Sequence, residues 1–175
     1  MKLFLVGYMG SGKSSSGRKA ARLAGVRFWD TDSEVERAEG AAIADIFRYA
    51  GEEYFRHSER SVLEGIVASE GSAIVSVGGG LPLWGDNMDY LKGAGTTVYL
   101  RMSAECIAGR MSLYGRERRP LLRGLKDEEL RDFIARGIEE REPCYMRAHR
   151  VIDVDGMQSD DVARRITDIF NGYGQ

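Results

Sequence analysis

Residues 7–14 read GYMGSGKS and follow directly on a short apolar run at 3–6. The stretch is G-x-x-x-x-G-K-[ST] filled at every fixed position, a pattern that has physical meaning where a strand passes into a helix through a glycine-rich turn. It constrains the downstream chain as well, because a helix leaving a parallel strand returns to the same sheet by a right-handed crossover. Glycines at 7, 10 and 12 permit backbone angles and close approaches denied to other residues, so successive amide N–H groups can converge on one set of oxygens. The helix starting near Lys13 turns its positive end to the same point. Gly10, Ser11, Gly12, Lys13, Ser14 and Ser15 thus form a cradle for a nucleoside triphosphate. Lys13 reaches the β and γ phosphates as a point charge, and the Ser14 hydroxyl enters the shell of the accompanying Mg²⁺. The alternative, a plain strand-to-helix turn, needs no Lys-Ser pair.

The rest of the chain repeats this theme. Apolar runs at 3–6, 27–30, 73–77, 96–100 and 149–153 alternate with helical periods at 13–23, 33–39, 43–49, 52–69, 88–92, 104–112, 126–146 and 159–171. Such alternation requires a parallel sheet with crossover helices, a three-layer α/β pattern with its chemistry along the carboxyl edge of the strands. With 175 residues, 43% of them apolar, and no repeat or linker, residues 1–175 are expected to fold around one core as one domain.

Composition excludes several functions. Twenty-five Lys and Arg against 27 Asp and Glu leave a net charge of −2, so no basic field draws in nucleic acid and phosphate binding must be local. Two cysteines have no zinc-binding or disulfide spacing, and His57 and His149 lie too far apart in the chain to suggest a metal cluster or triad. The opening apolar run is too short for a secretion signal or membrane span, which gives a cytoplasmic location and no membrane partner as the expectation. Residues 114–124, YGRERRPLLRG, break the helical period and carry four arginines, as an exposed, mobile flap would.

Two further clusters carry polar chemistry. Asp30 and Asp32 end the second apolar run two positions apart, so both project the same way if the extended period holds; Thr31 and Glu34 equally have capping-box spacing. Gly78, Gly79 and Gly80 follow the third run and either let backbone approach a ligand or form a turn before Pro82. No carboxylate closes that run, so Asp30 is the stand-in for the acid that holds magnesium. Arg56 and Arg141 suit a bidentate carboxylate clamp, or are helix-surface partners of Glu59, Glu139 or Glu140.

Read in order, GYMGSGKSS, FWDTD, IADIF, GEEYFR with Glu59, VSVGGG, RRPLL and R-E-P-C-Y at 141–145 resemble the shikimate kinase family over most of the chain. The resemblance implies a nucleoside-monophosphate-kinase-like P-loop kinase fold, a five-stranded parallel sheet in order 2-3-1-4-5, and Mg²⁺-dependent transfer of the ATP γ-phosphoryl group to the 3-hydroxyl of shikimate. By position, Asp32, Arg56, Gly78, Gly79, Gly80 and Arg141 would hold shikimate, on substrate-binding helices at about 33–60 and the elements facing them. Lys13, Asp32 and Arg119 would act in catalysis, with Arg119 closing from a lid at about 113–124. Ser14 would bind Mg²⁺ and Asp30 would hold it through water. Arg110 would cover adenine, beside a loop at 154–157 that is shorter than usual and lacks arginine. Nearby arginines are expected to keep Asp32 ionised. No partner beyond shikimate and ATP is implied, and a monomer is expected. A kinase for another small hydroxy acid such as gluconate, or a nucleotide-binding protein without turnover, remains the alternative.

Overall fold

The computed structural model describes residues 1–110 and 126–172. Strands β1 (Lys2–Val6), β2 (Arg27–Asp30), β3 (Ala73–Ser76), β4 (Thr96–Arg101) and β5 (Arg150–Asp153) pair in parallel in the order β2-β3-β1-β4-β5. Every residue of β1 and β3 is buried, as continuous apolar strands under helices on both faces should be, whereas the edge strands β2 and β5 are largely open.

The helices are α1 (Lys13–Ala24), α2 (Thr31–Glu39), α3 (Ile43–Tyr49), α4 (Gly51–Ala68), α5 (Asn87–Ala94), α6 (Ala104–Arg110), α7 (Asp127–Tyr145) and α8 (Ser159–Phe170). Helix α1 buries Gly17, Ala20 and Ala21, a stripe of small side chains that lets its axis lie close to the sheet. A Cβ on Gly17 would stand 2.7 Å from Leu5 Cδ1 and 3.0 Å from Phe28 Cε2. The left-handed Gly25, at φ 66°, ends the helix. Helix α8 packs on α1 through Val162, Ala163, Ile166 and Phe170, spaced as one helical face. A second apolar cluster of Val35, Ile46 and Phe55 joins α2, α3 and α4 apart from the main core.

One boundary differs consequentially from the sequence expectation. The second strand stops at Asp30 and α2 begins at once with Thr31, so Asp30 and Asp32 do not share the face of an extended strand. Asp30 is the N-cap itself, its carboxylate accepting from Ser33 N at 3.4 Å, and the Thr31–Glu34 capping box is replaced. The flap at 114–124, the lid at 113–124 and Arg119 lie outside the described residues. Among the described residues no helix is long and apolar enough to cross a membrane.

Candidate active site

Strands β1 and β3 are neighbours whose chains leave in opposite directions, β1 toward β2 and β3 toward β4, so a crevice opens between their carboxyl ends. Two glycine segments run into it, residues 7–14 after β1 and Gly78 to Gly80 after β3.

In the first segment Gly7, Gly10 and Gly12 take φ of 144°, 82° and 91°, conformations that side chains disfavour. Gly12 caps α1 without any side-chain bond, leaving first-turn amides for an anion. The Ser11 hydroxyl is buried with no hydrogen-bond partner, an orphaned polar atom that suits a loop built around phosphate oxygens. Lys13 is buried and donates from Nζ to Gly7 O at 2.8 Å and Tyr8 O at 2.9 Å, so its ammonium lies across the loop. Ser15 donates from Oγ to Gly12 O at 3.1 Å.

Beside the loop the Ser14 hydroxyl donates to Asp30 Oδ2 at 2.6 Å and stands 3.1 Å from Ser76 Oγ. Sheet register sets Asp30 directly across from Ser76. Three oxygens, two neutral and one anionic, therefore converge from α1, β2 and β3. This hard donor set fits Mg²⁺, which takes few protein ligands and fills its octahedron with phosphate oxygens and water. Ser76 fills the strand end that lacks a carboxylate, and Asp30 supplies the charge from the adjacent strand.

The second segment explains its glycines by space, since none of the three has a positive φ. A Cβ on Gly78 would collide with the carboxylates of Asp32 and Glu59, and one on Gly80 would lie 2.7 and 2.8 Å from the two terminal nitrogens of Arg56. Gly78 N donates to Thr31 Oγ1 at 2.8 Å, tying the segment to the first turn of α2. The glycine run thus brings Asp32, Glu59 and Arg56 into one wall of the crevice.

Asp32 retains solvent contact although protein atoms crowd it, as for a group on the floor of an open cleft. Desolvation and the nearby Asp30 push its carboxyl above the usual range, while Lys13 and Arg56 pull more weakly downward. The pull of a nearby arginine toward the ionised form is present, and desolvation with the second carboxylate sets the net direction of the shift. Lys13 is close enough for its charge to act on the Asp32 carboxyl.

Arg56 combines two environments. It projects into the crevice and also pairs along α4, donating from Nη1 to Glu59 Oε2 at 2.6 Å and from Nη2 to Glu52 Oε1 at 3.1 Å. Glu59 is only 2% exposed, and burial pushes its carboxyl up to about 7 despite the Arg56 guanidinium. It is not among the residues singled out from sequence as part of the site. The signal was its place in the buried stripe Phe55, Glu59, Leu63, Ile66, where a glutamate interrupts hydrocarbon.

On the opposite wall Arg141 lies over the Tyr8 ring, 5.2 Å from its centroid, instead of pairing with Glu139 or Glu140 in the manner of a surface helix residue. One turn on, the Tyr145 hydroxyl donates to Gly79 O at 2.6 Å. At the far end Arg110 donates from Nη2 to Met157 O at 3.0 Å, which joins it to the loop expected to complete the adenine pocket.

The comparisons with known proteins agree with this geometry. A family model described as shikimate kinase matches residues 9–171. A shikimate kinase of Parabacteroides distasonis is 43% identical over 156 residues, covering 89% of each chain. The chain belongs to the shikimate kinase family. Two shikimate kinases of solved structure share its fold. That of Bacteroides thetaiotaomicron superposes with a TM-score of 0.90 at 32% identity, covering 98% of both chains. That of Acinetobacter baumannii, solved in complex with shikimate, gives 0.85 at 32% identity, covering 98% of this chain and 93% of the other. In this member of the shikimate kinase family the first glycine segment, and the Asp32–Arg56 wall packed on the second, face a single crevice.

Proposed function

We propose that the chain is an ATP-dependent kinase that transfers the γ-phosphoryl group to the 3-hydroxyl of shikimate, in the biosynthesis of chorismate and the aromatic amino acids. The observation that carries the reading is the position of Asp32, which shares a wall with Arg56 and feels the charge of Lys13 on the phosphate loop. Arg56 and Arg141 clamp the acid's carboxylate, since guanidinium forks match carboxylates and stay charged when partly buried. Backbone at Gly78, Gly79 and Gly80 lies against the acid where a side chain would displace Asp32 or Arg56.

Asp32 accepts a hydrogen bond from the attacking hydroxyl. As the oxygen bonds to the γ-phosphorus and the bond to the β-phosphate oxygen breaks, the hydroxyl proton passes to Asp32 and ADP leaves. Phosphoryl transfer demands positioning more than strong base, and the raised proton affinity of Asp32 suits late acceptance. Gly10, Ser11, Gly12, Lys13, Ser14 and Ser15 cradle the triphosphate, and Lys13 neutralises its β and γ oxygens after releasing the two loop carbonyls. Ser14 and Asp30 would hold the Mg²⁺ that accompanies the triphosphate, Asp30 through water, and the ion would supply charge neutralisation at the phosphates. Arg110 covers adenine, and Arg119 closes onto the transferring group from a lid at about 113–124. Substrate-binding helices at about 33–60 complete a single domain over 1–175. A monomer in the cytoplasm completes the reading, and the free thiols of Cys106 and Cys144 suit a reducing compartment.

Release of ADP from MgATP tests the reading. Shikimate-dependent turnover is expected, and Asp32→Asn is expected to abolish most of it in a folded protein. Turnover with gluconate and none with shikimate would overturn the acceptor; ATP binding with no turnover on any acceptor would overturn the catalytic reading.

A further inference from the structure

The face of α7 that carries Arg141 holds a second polar group, and its partner lies in the glycine segment. Tyr145, the last residue of α7, is fully buried. Its hydroxyl donates to Gly79 O at 2.6 Å, and the guanidinium of Arg141, one turn earlier, stands against the same hydroxyl. Burial pushes that hydroxyl up to about 12, so it remains a donor over the whole working pH range. On the other side of the peptide, the space where Gly80 would carry a Cβ is filled by the Arg56 guanidinium.

We propose that Tyr145 is a positioning residue that sets the separation of Arg141 and Arg56 through the Gly79–Gly80 peptide, and thereby the fit of the acceptor's carboxylate. No peptide among the described residues is cis. In a planar trans peptide a carbonyl held by Tyr145 fixes the Gly80 N–H in the opposite direction, away from α7. A row of neighbours therefore runs from Arg141 to Tyr145, by hydrogen bond to the Gly79 carbonyl, and through the Gly80 peptide to the space that the Arg56 guanidinium fills, from the end of α7 toward α4. The neighbouring Cys144 reinforces the tie, its Sγ lying 3.3 Å from Pro82 O just beyond the glycines. Bidentate recognition tolerates little misplacement, so a fixed spacing between two forks selects for a carboxylate of one reach and orientation.

The inference rests on the acid-acceptor reading, and its test separates the two. Tyr145→Phe keeps the ring against Tyr99, whose centroid is 5.2 Å away, and removes only the hydroxyl. In that variant the KM for shikimate is expected to rise about five- to twentyfold with the KM for ATP unchanged. Its preference in kcat/KM for shikimate over shikimate methyl ester should shrink by a similar factor. A residue that only fills the core would lower the melting temperature and leave this selectivity alone. Wild-type turnover with an indifferent Tyr145→Phe overturns the proposal by itself, whereas no shikimate turnover in either protein overturns the acceptor reading as well. Tyr145→Met, a second variant without the hydroxyl, must show the same loss of selectivity.

Discussion

The Ser14 hydroxyl and the Asp30 carboxylate, sixteen positions apart in the chain, meet at 2.6 Å at the carboxyl edge of the sheet. A bond this short joins the hydroxyl at the start of α1 to the N-cap carboxylate of α2. Asp30→Asn keeps the shape and removes the charge. The Mg²⁺ concentration giving half-maximal ADP release is expected to rise at least severalfold, with turnover at fixed Mg²⁺ falling about tenfold or more. Unchanged Mg²⁺ titration curves would remove Asp30 from the metal site.

Glu59 makes stability depend on pH in a definite direction. Its ordinary value is 4.5 and its folded value about 7, so between these limits the folded chain binds more protons than the unfolded one. The stability it contributes is full below the ordinary value and is lost as pH rises through the folded value. Glu59→Gln cannot titrate. Between pH 5 and 8 wild type is therefore expected to lose stability relative to the variant by on the order of 2 kcal/mol, measured by denaturant unfolding across pH. A difference that stays flat over that range would show that Glu59 is not the titrating group.

Two glycines separate function from folding. In Gly80→Ala the new methyl displaces the flexible end of Arg56, so the KM for shikimate should rise severalfold with little change in melting temperature. Gly17→Ala presses instead on Leu5 and Phe28 in the packed core, and about 1–3 kcal/mol of stability should be lost. Equal effects of the two on melting temperature would contradict the role given to the second glycine segment.

The adenine contact proposed for Arg110 is supported by its bond to Met157 O. Arg110→Ala is expected to raise the KM for ATP severalfold while the KM for shikimate holds. Initial rates varied in both substrates measure this, and an effect on shikimate alone would move Arg110 out of the adenine site.

Much of the fold was legible because its causes are local. The strands at 27–30 and the helix at 43–49 coincide with their periodicity, and Gly10 and Gly12 announce a loop only glycine can make. Candidate site residues were legible where type and position sufficed, and the structure brings Lys13, Ser14 and Arg56 of that set to the crevice. Glu59, Ser76 and Tyr145 were not. Each falls within a motif of the family resemblance without a role of its own there, and each meets a partner distant in the chain: Asp32, Ser14 and Gly79.

The chain's order of residues by itself determined the alternation of strand and helix, the phosphate loop and the charged groups available to a crevice, since these follow from backbone angles and short-range periods. Only the tertiary structure decided which way those groups face and how strongly they hold protons. A switch from strand to helix at Thr31 turned Asp32 away from the direction of Asp30. The packing of α4 against the glycine segment buried Glu59 beside Asp32. Direction depends on the exact residue where one period gives way to the other, and proton affinity on desolvation by neighbours that sequence distance does not reveal.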